Sequence, residues 1–339
     1  MSMRAVLHVI SPLPWVGQAL RKLSDDVEAA GGPGANSREG LGSSTARETM
    51  TPWTVIDHNG LEPVGGIGSH AAVWIAPGLL IALNDWRARG SLDPLTMQAP
   101  LTDWLPRLPQ SLLGRTVINT RVADIRRWKE LPASLGPLPW SRICQGRAED
   151  FRAARRDASQ LVRDLEAAPD NSLIELSEHL PDITEEWAIL VNRGQVQASS
   201  GYCLHLPTTT AGGQSIRTVF DGASFQESRK LAAEEAARQL LTANDPGPAT
   251  ILMAFRASSD KPVVLEADPV WCSTPYPFGH SGLGAFAQAI ADSRLSPASP
   301  SQTGNPGRGL REPSPYQPDP WMVQQFCRRY RGFKPPTHD

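Results

Sequence analysis

Trp187–Val191 (WAILV), Asn192-Arg193-Gly194 and Gln195–Ser199 (QVQAS) constrain this chain more than any other stretch. A strand-forming apolar run, a turn carrying glycine and a second strand-like run predict a β-hairpin, and therefore an antiparallel sheet. A second hairpin is expected where Ala249–Arg256 (ATILMAFR) and Pro262–Asp268 flank the polar turn Ala257–Lys261. Between them Ser224-Phe-Gln-Glu227 has the form of a capping box opening a helix through Leu241. Further strands are read at Arg115–Thr120 (RTVINT) and Ser172–Leu176 (SLIEL), with a helix over Glu149–Leu165. The succession implies an α+β chain whose antiparallel sheets are covered by helices on one side.

The first third reads as a smaller mixed α/β lobe. It holds strands at Arg4–Ile10 and Thr54–Asp57, a short helix over Pro14–Lys22 and an apolar element within Val73–Leu83. Asp25–Met50 has the composition of a mobile loop, and Pro94, Pro100, Pro106 and Pro109 punctuate a linker-like stretch. Residues 296–318 are dense in Pro, Ser and Gly and are expected to be disordered. Pro320 is placed to open a terminal helix from its first position. The expected units are an accessory lobe over 1–110, a main domain over 111–295, the linker over 296–318 and a short helical tail over 319–339.

Composition excludes several function classes. A net charge of −2 across 339 residues argues against a nucleic-acid binder that works by neutralising phosphates. Cys144, Cys203, Cys272 and Cys327 show neither metal-type nor redox-type spacing, as expected of thiols in a reducing compartment. The start MSMRAVLHVI lacks the form of a secretory signal, and the apolar stretch Ala71–Leu83 is too short to span a bilayer. The expectation is a soluble, cytoplasmic protein with no membrane partner.

Chemistry is concentrated in KPVVLEADPVW, Lys261–Trp271. A run of strand formers ends in Glu266 and Asp268, two apart and so on one side of an extended chain. Paired carboxylate oxygens suit Mg²⁺, a hard ion that keeps its other positions for water or phosphate. Arg121 and Arg126, in TRVADIRRW, carry guanidinium groups able to clamp phosphate oxygens. Read singly, the carboxylate pair is better taken as a solvent-facing strand end and the arginines as a surface cluster.

In order, VINTRVADIRRW, EEWAILVNRGQVQASSGY and ILMAFRASSDKPVVLEADPVW resemble the segments of an ATP-grasp domain. They are most similar to the clade named for one arginine and two lysines, over about Arg115 to Gly279. The resemblance implies two antiparallel-sheet subdomains with helices enclosing a nucleotide cleft. It places Arg121 and Arg126 where the two lysines hold ATP phosphates, with Trp128 in the aromatic position. Glu186 and Trp187 match a Glu-Trp pair, Gly194 the hairpin turn, and Tyr202 the tyrosine after it. Glu266 and Asp268 match the metal-binding Glu and Asn, and Glu178–Leu180 falls where the hinge meets the nucleotide base. The implied cofactors are ATP and Mg²⁺, and the implied partners are a small-molecule or peptide carboxylate and an amine. They would be joined through an acylphosphate, with no nucleic acid involved.

Two departures keep a second reading open. Ala188 stands in place of the family arginine, and Met253 where the penultimate strand offers a metal-binding Asp. A catalytically impaired nucleotide-binding or protein-interaction module is therefore also expected to fit. His205, His280 and Ser281 rank lower as chemical groups, and the glycine-rich Gly65–Ser69 matches no phosphate-binding signature.

Overall fold

The hairpin around Arg193 lies at the heart of a five-stranded antiparallel sheet. The structure is a computed structural model that describes residues 5–11, 15–21, 53–58, 67, 71–144, 151–207, 214–218, 225–295 and 314–329. The loop expected over Asp25–Met50, most of Gly65–Ser69 and residues 296–313 lie outside the described residues, as do the side chains of His280 and Ser281.

The N-terminal lobe is a parallel sheet of β1 (Ala5–Ile10), β2 (Trp53–His58) and β3 (Ala72–Ile75), in the order β2-β1-β3. Helix α1 covers 15–21, and α2 (Pro77–Arg89) follows β3 with Pro77 at its start. That proline opens a helix because its missing N–H costs nothing in a first turn. The proline-punctuated stretch is ordered. It forms β4 (Thr96–Met97), a 3₁₀ turn at Leu105–Arg107 and α3 (Gln110–Leu113). Trp104, Leu105 and Leu108 between the prolines are buried, and the Trp104 indole donates to the Asn244 carbonyl at 3.0 Å. Apolar burial overrides the linker-like composition here.

A four-stranded sheet follows, ordered β5-β8-β6-β7, from β5 (Val117–Arg121), β6 (Trp140–Ile143), β7 (Ala154–Arg155) and β8 (Leu173–Ser177). α4 (Val122–Ile125) and α5 (Ala158–Asp164) pack on one face through Val122, Ile125, Leu161 and Leu165. α5 is shorter than the helix expected from Glu149. The Asp157 carboxylate accepts from the Gln160 N–H at 2.8 Å and the Gln160 amide reaches back, so this capping box fixes the start.

The larger sheet runs β11-β10-β9-β12-β13, with β9 (Ile183–Asn192), β10 (Gln195–Pro207), β11 (Gln214–Thr218), β12 (Ala249–Arg256) and β13 (Ser259–Pro269). Both expected hairpins are present, with longer strands than the apolar runs alone indicate. Arg193 and Gly194 have φ of 53° and 70°, the paired left-handed residues of a two-residue turn that matches strand twist. α6 (Glu227–Leu241) covers one face; its N-cap is Gln226, without a side-chain cap, rather than Ser224. α7 (Gly279–Asp292) and the N-terminal lobe cover the other face, so one apolar core joins Val73, Trp74, Ala188, Leu190, Leu252 and Phe286. β14 (Arg294–Leu295) pairs with β4.

Residues 314–318, placed within the disordered linker by composition, are ordered against β4: the Tyr316 N–H donates to the Met97 carbonyl at 2.6 Å. The Tyr316 ring packs edge-on against Trp271 at 5.0 Å. α8 (Pro320–Arg329) then buries Trp321 and Met322 beneath the four-stranded sheet, with Asp319 accepting from the Trp321 N–H. The terminal helix is part of the core.

Gly114, with φ of 60°, ends α3, and a Cβ there would lie 2.7 Å from Val263 Cγ1. Gly114→Ala is expected to lower stability by about 1–3 kcal/mol from left-handed strain and overpacking, read by urea denaturation; an unchanged midpoint refutes this. In the N-terminal sheet, His8 Nδ1 lies 2.9 Å from His58 Nε2 with the rings stacked. Burial holds both imidazoles below their ordinary value, aided at His8 by His58 and Arg294 and opposed at His58 by Asp57. The unfolded chain therefore binds more protons near pH 6, and stability falls as pH drops below about 6.5. A His8→Gln, His58→Gln variant should show a flatter decline between about pH 7.5 and 5.5; an unchanged slope would sink the assignment.

Candidate functional site

β13 is an edge strand, which is why Pro262 is tolerated within it. Its pairing with β12 slips by one residue: Met253 faces Val264 and Leu252 faces Glu266, leaving Leu265 as the extra residue of a β-bulge. The slip changes which face each side chain takes. Val264 packs on the α6 side with Met253, whereas Glu266 and Asp268 share the opposite face with Leu252 and Thr250. Met253, expected to stand where a metal-binding Asp would be, is therefore turned away from the carboxylate pair; Leu252 occupies the facing position.

Arg115 holds the bulge. The residue is 5% exposed, and its guanidinium donates to the carbonyls of Val264 at 2.7 Å, Leu265 at 2.9 Å and Leu113 at 3.2 Å. Burial pushes its pKa down to about 10, with Glu175 and Glu178 opposing and Arg142 adding to the fall. It remains charged at neutral pH and ties the first residues of the four-stranded sheet to the edge of the larger one.

Glu266 reaches across this seam to Arg142 of β6, with which it forms an ion pair. Arg142 Nε also donates to Glu175 Oε1 on β8 at 2.8 Å. Burial alone would lower the pKa of Arg142, but Glu175, with Asp268 contributing, raises it above the ordinary guanidinium value. The cluster joins four carboxylates (Glu175, Glu178, Glu266, Asp268) to two guanidinium groups (Arg115, Arg142). That excess of two negative charges suits a divalent cation coordinated by oxygen. Glu266 and Asp268, side by side on one face of an edge strand, are the residues that would hold one.

The other expected groups separate. Arg121 ends β5, exposed, on the face that carries Asn119, Glu175 and Arg142 in one row. Its side chain makes no hydrogen bond or ion pair among the described residues. Arg126 is engaged elsewhere: it pairs with Asp170 and its Nη2 donates to the carbonyls of Leu165, Glu166 and Ala168 at 2.7–2.8 Å. These are the orphan carbonyls past the end of α5, where a cation is favoured by the helix dipole. Arg126 thus caps a helix, and Arg142, which nothing in its local sequence singles out, meets the carboxylates instead. The signal that could have found it is WSRI after Pro139, where Ser141 and Ile143 are buried and Trp140 and Arg142 alternate to the other face.

Glu178 extends the β5–β8 pairing, its N–H donating to the Thr116 carbonyl at 2.9 Å and its carboxylate accepting from the Thr116 N–H at 3.3 Å. Leu180 is buried against Ala254 and Val263. Residues 178–182 form the covalent link from β8 to β9, and Asp182 anchors it by accepting from Arg256 Nε at 2.8 Å and the Ser258 hydroxyl at 2.7 Å. Glu186 lies on the same face of the larger sheet as Ala188 but two strands from β13; it accepts from the Tyr202 hydroxyl and from His205 Nε2. Ala188 is fully buried in the apolar core.

Arg142→Ala leaves Glu175, itself 6% exposed, without the cation that hydrogen-bonds to it. A loss of about 3 kcal/mol is expected, the lower end for breaking a buried pair. Urea denaturation of Arg142→Ala, Glu175→Gln and the double variant should show a coupling of at least about 1 kcal/mol; simple additivity would contradict the pairing.

No family model matches the chain, and no curated protein matches it. Several solved structures are similar in shape. A D-alanine–D-alanine ligase from Bacillus anthracis shares 9% identity, with 85% of this chain and 97% of that one covered at a TM-score of 0.46. A RimK-domain ATP-grasp protein from Sphaerobacter thermophilus shares 14%, with 86% and 100% covered at 0.44. A D-alanyl-alanine synthetase A from Vibrio cholerae shares 8%, with 86% and 99% covered at 0.49.

Proposed function

We propose that the chain is an ATP-dependent carboxylate–amine ligase of ATP-grasp type, with ATP and Mg²⁺ held at the seam between its two antiparallel sheets. The observation that carries the reading is the meeting of Glu266, Asp268 and Glu175 with Arg142 at that seam. The ordered likeness of VINTRVADIRRW, EEWAILVNRGQVQASSGY and KPVVLEADPVW to the segments of that family supports it independently. Glu266 and Asp268 would hold Mg²⁺, and Arg142 with Arg121 would offset phosphate charge. Glu178 and Leu180, in the link between the sheets, would border the nucleotide base.

The chemistry is attack of a substrate carboxylate on the γ-phosphate with ADP leaving, followed by attack of an amine on the acylphosphate carbonyl, which forms the amide and releases inorganic phosphate and the amine's proton. Bound Mg²⁺ would neutralise charge on the phosphates. The chain's own residues then position the reactants and compensate charge, because phosphoryl transfer asks for no covalent partner from the protein. Arg142 suits that role. It is held by carboxylates from two sheets, so its charge is oriented before a ligand arrives.

A second reading rests on Ala188 and Leu252. Ala188 stands where the family resemblance implies an arginine. The implied metal-binding Asp falls at Met253, which is turned to the other face, and Leu252 fills the place opposite Glu266, so buried apolar side chains stand there instead. A chain so altered would bind nucleotide without turnover.

Isothermal titration separates these readings. ATP binding that requires Mg²⁺, together with ADP release in the presence of an acid and an amine, is expected of the ligase. Glu266→Gln and Asp268→Asn should each weaken Mg²⁺-dependent ATP affinity about tenfold or more, equivalent to at least about 1.4 kcal/mol, with unchanged circular dichroism. Binding without ADP release across a broad acid and amine panel favours the second reading. Absence of ATP binding removes both.

A further inference from the structure

β10 carries a second bulge that matters chemically. Gly201 faces Trp187 and Cys203 faces Glu186, leaving Tyr202 as the extra residue. Gly201 is on the α6 side, where the Phe225 ring fills the space of a Cβ. The slip turns Cys203, and with it His205 two residues on, toward the face that carries Glu186. One carboxylate oxygen, the Cys203 sulfur and a His205 ring nitrogen all lie within 4.8 Å of one another. Cys203 is 4% exposed, and the side chains of His205 and Glu186 are 8% and 17% exposed.

We propose that Glu186, Cys203 and His205 form a binding site for a borderline-soft divalent transition metal of the Zn²⁺ class. The site is separate from the seam that would hold ATP and does not depend on that reading. Thiolate, imidazole and carboxylate together are the donor set of such ions, whereas Mg²⁺ prefers oxygen ligands and finds a single carboxylate here. Charge is balanced as well: one thiolate and one carboxylate neutralise a divalent ion in a largely buried place, where an unpaired charge would be costly.

The geometry needs little change. Tetrahedral coordination at ordinary bond lengths would set the three ligand atoms roughly 3.3–3.8 Å apart; His205 Nε2 and Glu186 Oε1, now 2.6 Å apart, would separate by somewhat under an ångström, and the Cys203 sulfur starts within 4.8 Å of both. His205 Nε2 now donates to Glu186 Oε1 at 2.6 Å, a contact the ion would replace by taking the place of the shared proton. The other Glu186 oxygen accepts from the Tyr202 hydroxyl, which orients the carboxylate as outer hydrogen bonds commonly orient metal ligands. Three protein ligands leave a fourth position for water or a substrate donor. Burial, then Glu186, pushes the Cys203 thiol up to about 12, so binding must displace its proton.

The test uses the full chain stripped of metal and titrated with Co²⁺. One equivalent should give a thiolate-to-cobalt charge-transfer band together with the visible bands of tetrahedral cobalt, and Zn²⁺ should abolish both. Cys203→Ser should remove the charge-transfer band. His205→Gln and Glu186→Gln should each weaken Co²⁺ binding at least tenfold, and Glu266→Gln should leave the spectrum unchanged. A titration without the band refutes the site, as does a band that survives in Cys203→Ser. Should Cys203→Ser fail to fold by circular dichroism, His205→Gln decides, and undiminished affinity there overturns the proposal.

Discussion

The architecture turns on the Arg115 guanidinium. It is almost fully buried and donates to two successive carbonyls of β13, at Val264 and Leu265. A bulge leaves backbone groups unpaired within its ladder, and leaving such groups without partners in a buried place costs as much as a lost hydrogen bond. Arg115 supplies the partners with one rigid fork, a geometry that lysine does not offer. It also fixes the start of β5 against the edge of the larger sheet. The register slip, the junction of the sheets and the direction of Glu266 are thus one physical fact seen from three sides.

The charge cluster follows from that junction. Glu266 would turn to the α6 side, away from Arg142, if β13 kept its register, since Val264 lies on that side and residues two apart share a face. Turned by the bulge, it meets Arg142, which is already held by Glu175 from the neighbouring strand. One guanidinium then links strands of both sheets. Two guanidinium groups among four acids leave local negative charge unsatisfied, and the exposed Arg121 stands on the same face of the smaller sheet. Such an arrangement can receive a metal and an anion together, because each compensates the charge that the other brings.

How much of this is legible in the amino-acid order depends on the range of the interaction. The hairpin at Arg193-Gly194 is local, and its turn residues announce it. The pairing of Glu266 with Asp268 on one face is also local, because it needs only the period of an extended chain. Arg126 misleads because the family resemblance sets it where a lysine would hold phosphate, while its partners, the carbonyls of Leu165, Glu166 and Ala168, lie 39 to 42 residues away. Arg142 escapes notice for the converse reason: WSRI is a four-residue strand between prolines and a glycine, and only its neighbours in space give it meaning. The ordering of the proline-rich stretches is likewise tertiary, since Trp104 and Tyr316 find their partners at Asn244 and Trp271.

The larger sheet uses the same device at both ends of one face. A bulge at Leu265 turns Glu266 and Asp268 inward, and a bulge at Tyr202 turns Cys203 and His205 toward Glu186. Between these polar groups lie Ala188 and Leu252, both buried in the core shared with the N-terminal lobe. A uniform period-two strand cannot easily alternate in this way, because side chains of one parity would be either all polar or all apolar along the face. One extra residue per strand changes the parity locally and lets a single β-strand serve an apolar core and a polar site in succession. The two polar groups are therefore held apart by apolar packing, so a metal at one and a nucleotide at the other would not compete for ligands.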